Sequence, residues 1–261
     1  MSFLEGRPVL ARPQTALYRG RKFLRRRWLP VSAAAIFVLG LSVAAVVAGR
    51  EARAARAEAR RSAAINGFLT DMLGSTMAQS FDPQTYTVAQ MLDAAAARLD
   101  GRWKDDPLTE ASIRASLGGS YNALFRFDQA KVQINRAVEL YHGLGNKAGE
   151  AEMLDTLGNI ASNAGLYEDS LPWFRRALDQ LNQLGKAADP VWVFACKRDY
   201  ATALNWLNRD LDTESRMVDE AIALAAREPA ISRVALARAI SLRADMLVKR
   251  GREAEAEAAY N

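Results

Sequence analysis

An all-α chain, one apolar helix followed by a stack of helical hairpins, is the fold class this sequence predicts, and three observations carry the prediction. The first is repetition. Leu117-Gly118, Tyr121, Phe125, Phe127, Ala130, Ile134 and Ala137 return forty residues later as Leu157-Gly158, Ala161, Gly165, Tyr167, Ser170, Phe174 and Ala177. The second is an uncharged run of 21 residues, Trp28 to Ala48, made mostly of Ala, Val, Leu and Ile. The third is negative: no window sustains a period-two alternation, so essentially no sheet is expected.

The spacing inside each block is that of a helical hairpin. A small residue follows a Leu, an aromatic comes nine positions later, and further apolar positions fall three, seven and ten beyond it. The Gly belongs where two helices cross too closely for a side chain, and the later Ala and aromatic positions fill the cleft between them. Units of this kind stack, because none buries its apolar face alone. A fourth unit keeps the pattern with Ala244, Leu247, Gly251-Arg252, Ala256 and Tyr260, although Glu253 replaces the aromatic. The third is weaker: Leu211, Val218 and Ala221 are in register, but Thr202 and Glu214 stand where small residues are wanted. Measured at Ala130, Ser170, Glu214 and Ala256, the period is 40, 44 and 42. The chain stops inside the second helix of the last unit, which reads as a truncation.

These small, aromatic and Ala positions resemble those of tetratricopeptide repeats. The standard repeat of that family is about 34 residues, and a period of 40 to 44 is similar to the longer-helix variety in kinesin-light-chain-like arrays. The resemblance implies an α-solenoid whose first helices line a concave face.

The elements follow in order. Residues 1–27 are a basic, Pro-containing tail. Residues 28–48, as a helix rising about 1.5 Å per residue, match the hydrocarbon thickness of a bilayer. A buried core helix is seldom so long and uninterrupted. A cleaved signal peptide, the better rival, wants a shorter basic region and a shorter apolar run. A single uncleaved transmembrane helix is therefore expected. Residues 49–61, rich in Ala, Arg and Glu, form a helical stalk. Within 62–104 an apolar stripe (Ile65, Phe68, Leu69, Met72, Leu73) and a capping box (Thr87, Gln90) before Val88, Met91, Leu92, Ala95 and Leu99 predict a helical pair. The break between them runs from Gly74 to Gln84, around Asp82-Pro83. The repeat array occupies 105–261. Asp106-Pro107 and Asp189-Pro190 open helices, Asp as N-cap and Pro at the first helical position.

Charge decides partners. The net charge is +5, yet residues 1–27 alone carry +7, leaving −2 for the rest. The basic surface therefore lies beside the apolar run and suits anionic lipid headgroups, at about 1 kcal/mol per Lys or Arg. A slightly acidic folded part is not expected to bind nucleic acid. Seven Lys and Arg in 12–27 against five between Arg50 and Arg61 place the N-terminus in the cytoplasm and the repeats outside.

No catalytic constellation is found, and no cofactor is expected. His142-Gly143-Leu144-Gly145 fails as a phosphate-binding glycine loop, since the third glycine would be needed at Ala148. One Cys and one His exclude a disulfide within the chain and a metal site built on Cys and His. His142 reads as a solvated loop residue, Cys196 as a small packing residue, and Trp173, Trp192 and Trp206 as mostly core. The repeat register instead assigns Asn122, Asp155, Asn159, Asn163, Asp199, Trp206, Arg238, Asp245 and Lys249 to the concave face. There the Asn amides would donate to and accept from an extended peptide, unless these positions are merely solvated. A protein or peptide is the expected ligand.

Gly6-Arg7-Pro8-Val9, Ala11-Arg12-Pro13, Tyr18-Arg19, Lys22-Phe23 and Arg25-Arg26 resemble the juxtamembrane linker of bacterial receptor-type serine/threonine protein kinases. That resemblance implies the order linker, span, stalk and distal repeats. The kinase domain is absent from this chain, so no catalytic residue carries over and no enzyme activity is expected. Two functions follow: a membrane-anchored, non-catalytic binding scaffold, the sensing part of a signalling system, or the regulatory fragment of a kinase whose catalytic part lies elsewhere. An assembly factor for envelope complexes is a weaker third.

Overall fold

The computed structural model describes residues 87–99 and 101–259, the stretch 39–49, and a few positions before residue 71 (32, 37, 52, 59, 62, 63, 66–68 and 70). The basic tail, most of the stalk and the break from Gly74 to Gln84 lie outside the described residues. The chain divides into two units, Met1–Ser62 and Ala63–Asn261.

In the first unit, residues 39–49 are helical. Leu39, Leu41, Val43, Val46 and Val47 all point outward with their side chains exposed. Among the described residues no helix is long and apolar enough to cross a membrane. Most of 28–38, the first half of the expected span, lies outside them.

In the second unit, among the described residues, positions 63, 66–68 and 70 are helical, nine helices follow from Val88 on, and there is no strand: α1 (Val88–Ala97), α2 (Pro107–Ala123), α3 (Phe127–Gly143), α4 (Lys147–Asn163), α5 (Tyr167–Leu184), α6 (Pro190–Leu207), α7 (Leu211–Ala225), α8 (Arg233–Lys249) and α9 (Glu253–Ala258). A single 3₁₀ turn, Gly185–Ala187, precedes α6. Hairpins α2/α3, α4/α5, α6/α7 and α8/α9 are the four repeats. First helices also touch one another, α2 to α4, α4 to α6 and α6 to α8.

Two devices build the turns, and the sequence explains both. Helices that open a repeat begin after a side-chain cap: Asp106 accepts from Thr109 N at 3.1 Å, Asn146 from Gly149 N at 3.0 Å, Asp189 from Val191 N at 2.8 Å and Ser232 from Ala235 N at 3.2 Å. Inside a repeat the chain reverses through a left-handed residue, Phe125, Gly165 or Gly251, or through Asn208 and Asp210. Bonds such as Arg126 N to Tyr121 O and Leu166 N to Ala161 O, both 2.9 Å, then close the first helix. Phe125 holds this conformation at φ +58° where the second and fourth repeats use Gly. At α1 both halves of the capping box form, with Thr87 N donating to Gln90 Oε1 at 2.8 Å and Gln90 N to Thr87 Oγ1 at 3.3 Å.

The repeat-defining residues are the core. Ala130, Ile134, Ala137, Phe174, Ala177, Val218 and Ala221 are fully buried. A Cβ on Gly118 would sit 2.4 Å from Ile134 Cδ1, and one on Gly158 would sit 2.6 Å from Phe174 Cε1, so each Gly is the space its partner occupies. The apolar core runs on from Phe68, Leu92 and Leu99 through Ile134 and Leu157. A second cluster from Leu154 to Leu204 continues it, and Phe194, Ile231, Val218 and Leu242 carry it into the last repeats. One buried polar cluster is fully paired. Arg114 donates to Glu110 Oε1 at 2.7 Å and to Gln133 Oε1 at 2.9 Å, stapling α2 to α3.

The third repeat is in the register that the 44-residue period gives it. Glu214 falls in the slot of Ala130, Ser170 and Ala256 and is as buried as they are, at 1 % exposure. Its carboxylate is met by Arg250 from the end of α8, Nη2 to Oε2 at 3.3 Å. Arg250 also donates to Ser215 Oγ at 2.8 Å and Leu211 O at 3.0 Å. The odd residue of the third unit has become a joint between the third and fourth repeats.

Candidate peptide-binding face

The nine positions assigned to the concave face all lie on first helices: Asn122 on α2, Asp155, Asn159 and Asn163 on α4, Asp199 and Trp206 on α6, and Arg238, Asp245 and Lys249 on α8. The structure divides them into two groups that do different things.

Over the first three repeats the polar side chains bond to each other across one repeat. Asn163 Nδ2 donates to Asn122 Oδ1 at 3.2 Å, and Asn159 Nδ2 to both Asp155 Oδ2 and Asp199 Oδ2, each at 3.1 Å. Both donors of Asn159 and one of Asn163 are thus engaged within the protein, and these side chains form a ladder of rungs joining neighbouring helices. The rung at α4 and α6 is acidic and buried. Asp155 is 3 % exposed, and burial first, then the Asp199 charge, push its carboxyl up to about 8. Asp199 is held by Arg198, whose Nε and Nη2 lie 2.7 and 2.6 Å from Asp199 Oδ1. Glu152, a turn before Asp155, is raised to about 6 by burial and then by Asp189.

Over the last two repeats a cavity of about 720 Å³ opens between α6 and α8. Trp206, Arg238, Asp245 and Lys249 line it together with Arg198, Thr202, Asn205 and Ser241. Trp206 is 64 % exposed, which corrects its reading as core. It lies flat on Tyr167, rings 5.5 Å apart and 8° from parallel, so the indole is a fixed platform. Lys249 Nζ sits 5.9 Å from the centre of that ring and donates to Asn205 O at 3.0 Å and Asn205 Oδ1 at 2.8 Å. Both acceptors are neutral. Among the described residues, neither Lys249 nor Arg238 has a carboxylate within ion-pair distance, and three cations line the cavity against one carboxylate, Asp245.

Arg198, Thr202, Asn205 and Ser241 were missed by the sequence reading. In the sequence Thr202 stands out only as filling a slot that Gly118 and Gly158 hold in the first two repeats. His142 lies in the last turn of α3 rather than in a loop, and its Nδ1 is 3.1 Å from Glu150 Oε2. Cys196 is buried with its thiol directed at Phe174 O (3.7 Å); burial first, and then Asp155, drive its pKa far upward. A thiol so shielded is not nucleophilic.

No family model and no curated protein matches the sequence. Solved structures do. BtubC (BKLC) from P. vanneervenii superposes with a TM-score of 0.55 over 66 % of this chain and 68 % of its own, at 18 % identity. A Podosopora anserina protein of kinesin light chain type, with nearly identical TPR-like repeats, gives 0.54 over 77 % of this chain and 92 % of its own, at 10 % identity. At such identities the likeness is one of fold, and the fold is that of a tetratricopeptide-like α-solenoid.

Proposed function

We propose that the chain is a non-catalytic scaffold that binds an extended segment of a partner protein in the groove between α6 and α8. The observation that carries this reading is the groove lining: a rigid exposed indole with the ammonium of Lys249 fixed beside it and held by the neutral acceptors of Asn205. A preordered aromatic and a preordered cation cost little further entropy when a ligand arrives. The excess of cations favours segments carrying Asp or Glu. Peptides selected from a random displayed library against the full chain should lose about 2 kcal/mol, roughly 30-fold in affinity, on Trp206→Ala. They should also weaken on Lys249→Glu. Selected peptides indifferent to both changes would place the binding surface elsewhere.

We also propose that the scaffold is anchored in a membrane by residues 28–48, with the N-terminus cytoplasmic and the repeats outside. The uncharged run and the outward apolar side chains of the helix at 39–49 support this. The full chain should stay with membranes through alkaline carbonate extraction, and deletion of residues 1–48 should release it to the supernatant. Release of the intact chain would remove the anchor from the proposal. The finer reading, that the scaffold is the sensing half of a signalling system of the receptor-kinase kind, rests on the tail motifs from Gly6 to Arg26.

A further inference from the structure

We propose that the junction between the second and third repeats is a proton-operated joint, in which α4 and α6 close on a protonated Asp155 and loosen when that proton is withdrawn. Asp155 and Asp199 are the same position of successive repeats, 44 residues apart; the flanking repeats put Ala115 and Ser241 there. Only this junction therefore faces two carboxyl groups, and a single nitrogen, Asn159 Nδ2, lies 3.1 Å from an oxygen of each. Asp199 is partly exposed and is kept anionic by Arg198. Asp155 has no such partner. Its Oδ2 accepts from Asn159, while Oδ1 is buried with only the weakly donating Cys196 thiol to favour its charge.

An ionised carboxylate in that place would leave a charged oxygen unsolvated and close to a second anion, both of which favour the neutral acid. The groups acting on Asp155 are few. Glu152 comes from its own helix, and Asp199, Arg198 and the Cys196 thiol from α6; α2, α3 and α5 bring no titratable group to it among the described residues. The nearest cation, Arg198, is already spent on Asp199.

The sign of the linkage follows. The folded junction holds a proton that an opened one releases in the ordinary carboxyl range, near 3.8, because the folded pKa is raised. Opening therefore becomes easier as pH rises from that range towards about 8 and is independent of pH above it. Asp155→Asn keeps the neutral shape and removes the proton.

Amide hydrogen exchange of the full chain in detergent, followed by mass spectrometry for the α4 and α6 peptides, tests this. Between pH 5.5 and 7.5 the wild-type to Asp155→Asn ratio of exchange rates should grow by about tenfold per pH unit. Peptides from α2 should show no such trend. Asp199→Asn should make the loosening level off at a lower pH, since Asp155 then loses the neighbour that resists its ionisation. A ratio constant with pH, or the same trend in every helix, would overturn the joint; so would a levelling-off point unmoved by Asp199→Asn.

Discussion

Phe174→Ala is expected to lower the stability of the array by about 3–5 kcal/mol. The ring is fully buried, fills the cleft between α4 and α5, and lies where a Cβ on Gly158 would come within 2.6 Å. The reciprocal change, Gly158→Ala, forces a methyl into that ring and should cost about 1–3 kcal/mol. Both changes together should cost less than their sum, by about 1–2 kcal/mol, because the added methyl falls into the space the ring vacates. Urea unfolding of the full chain in mild detergent, followed by helical circular dichroism, reads all three. Additive costs would mean that Gly158 and Phe174 do not share one cleft.

Arg250→Ala is the second large effect. It leaves the Glu214 carboxylate buried without its cation, a loss of about 3–5 kcal/mol at neutral pH. Burial raises the Glu214 carboxyl while Arg250 draws it back down, and its Oε1 has no hydrogen bond even with Arg250 in place. Without Arg250 the folded pKa rises further above its unfolded value. The variant should therefore be most defective at pH 8 and recover towards pH 4, where Glu214 is neutral. Arg250→Ala combined with Glu214→Ala should return much of the loss, since Ala130 and Ala256 already serve in that slot. Equal destabilisation at pH 4 and pH 8 would show that Arg250 acts through Ser215 and the Leu211 carbonyl rather than through the charge.

Much of this fold was legible because it is set locally. Asp106-Pro107 and Asp189-Pro190 start helices by chemistry contained in two or three residues, and the capping box at Thr87 and Gln90 does so too. The Gly-to-aromatic and Gly-to-Ile contacts were legible for a related reason, since a repeat states the same packing twice. The site was less so. Which residues stand on the first helices follows from the period, but whether an amide faces a ligand or its neighbour depends on the spacing between helices. Asn163 and Asn122 meet at 3.2 Å, whereas α6 and α8 leave a groove between them. Arg250 reaches Glu214 from 36 residues away, and no local pattern announces that pairing. Trp206 has helical spacing in a helix with a buried face, and only its stacking on Tyr167 shows that it lies outside the core.

The rungs along the first helices each span a single repeat, and the helix packing of the array passes only between near neighbours in sequence. Among the described residues no strut ties one end of the array to the other, so a rotation at any junction is opposed only by the rung and the helix packing at that junction. Everything beyond it is carried round as an arm. At the rung between Asp155 and Asp199, a turn of a few degrees would swing the groove of the last two repeats through a distance that grows with its separation from the pivot. The array is in that respect a lever, converting a small change of angle at one carboxyl pair into a displacement at the surface that meets the partner.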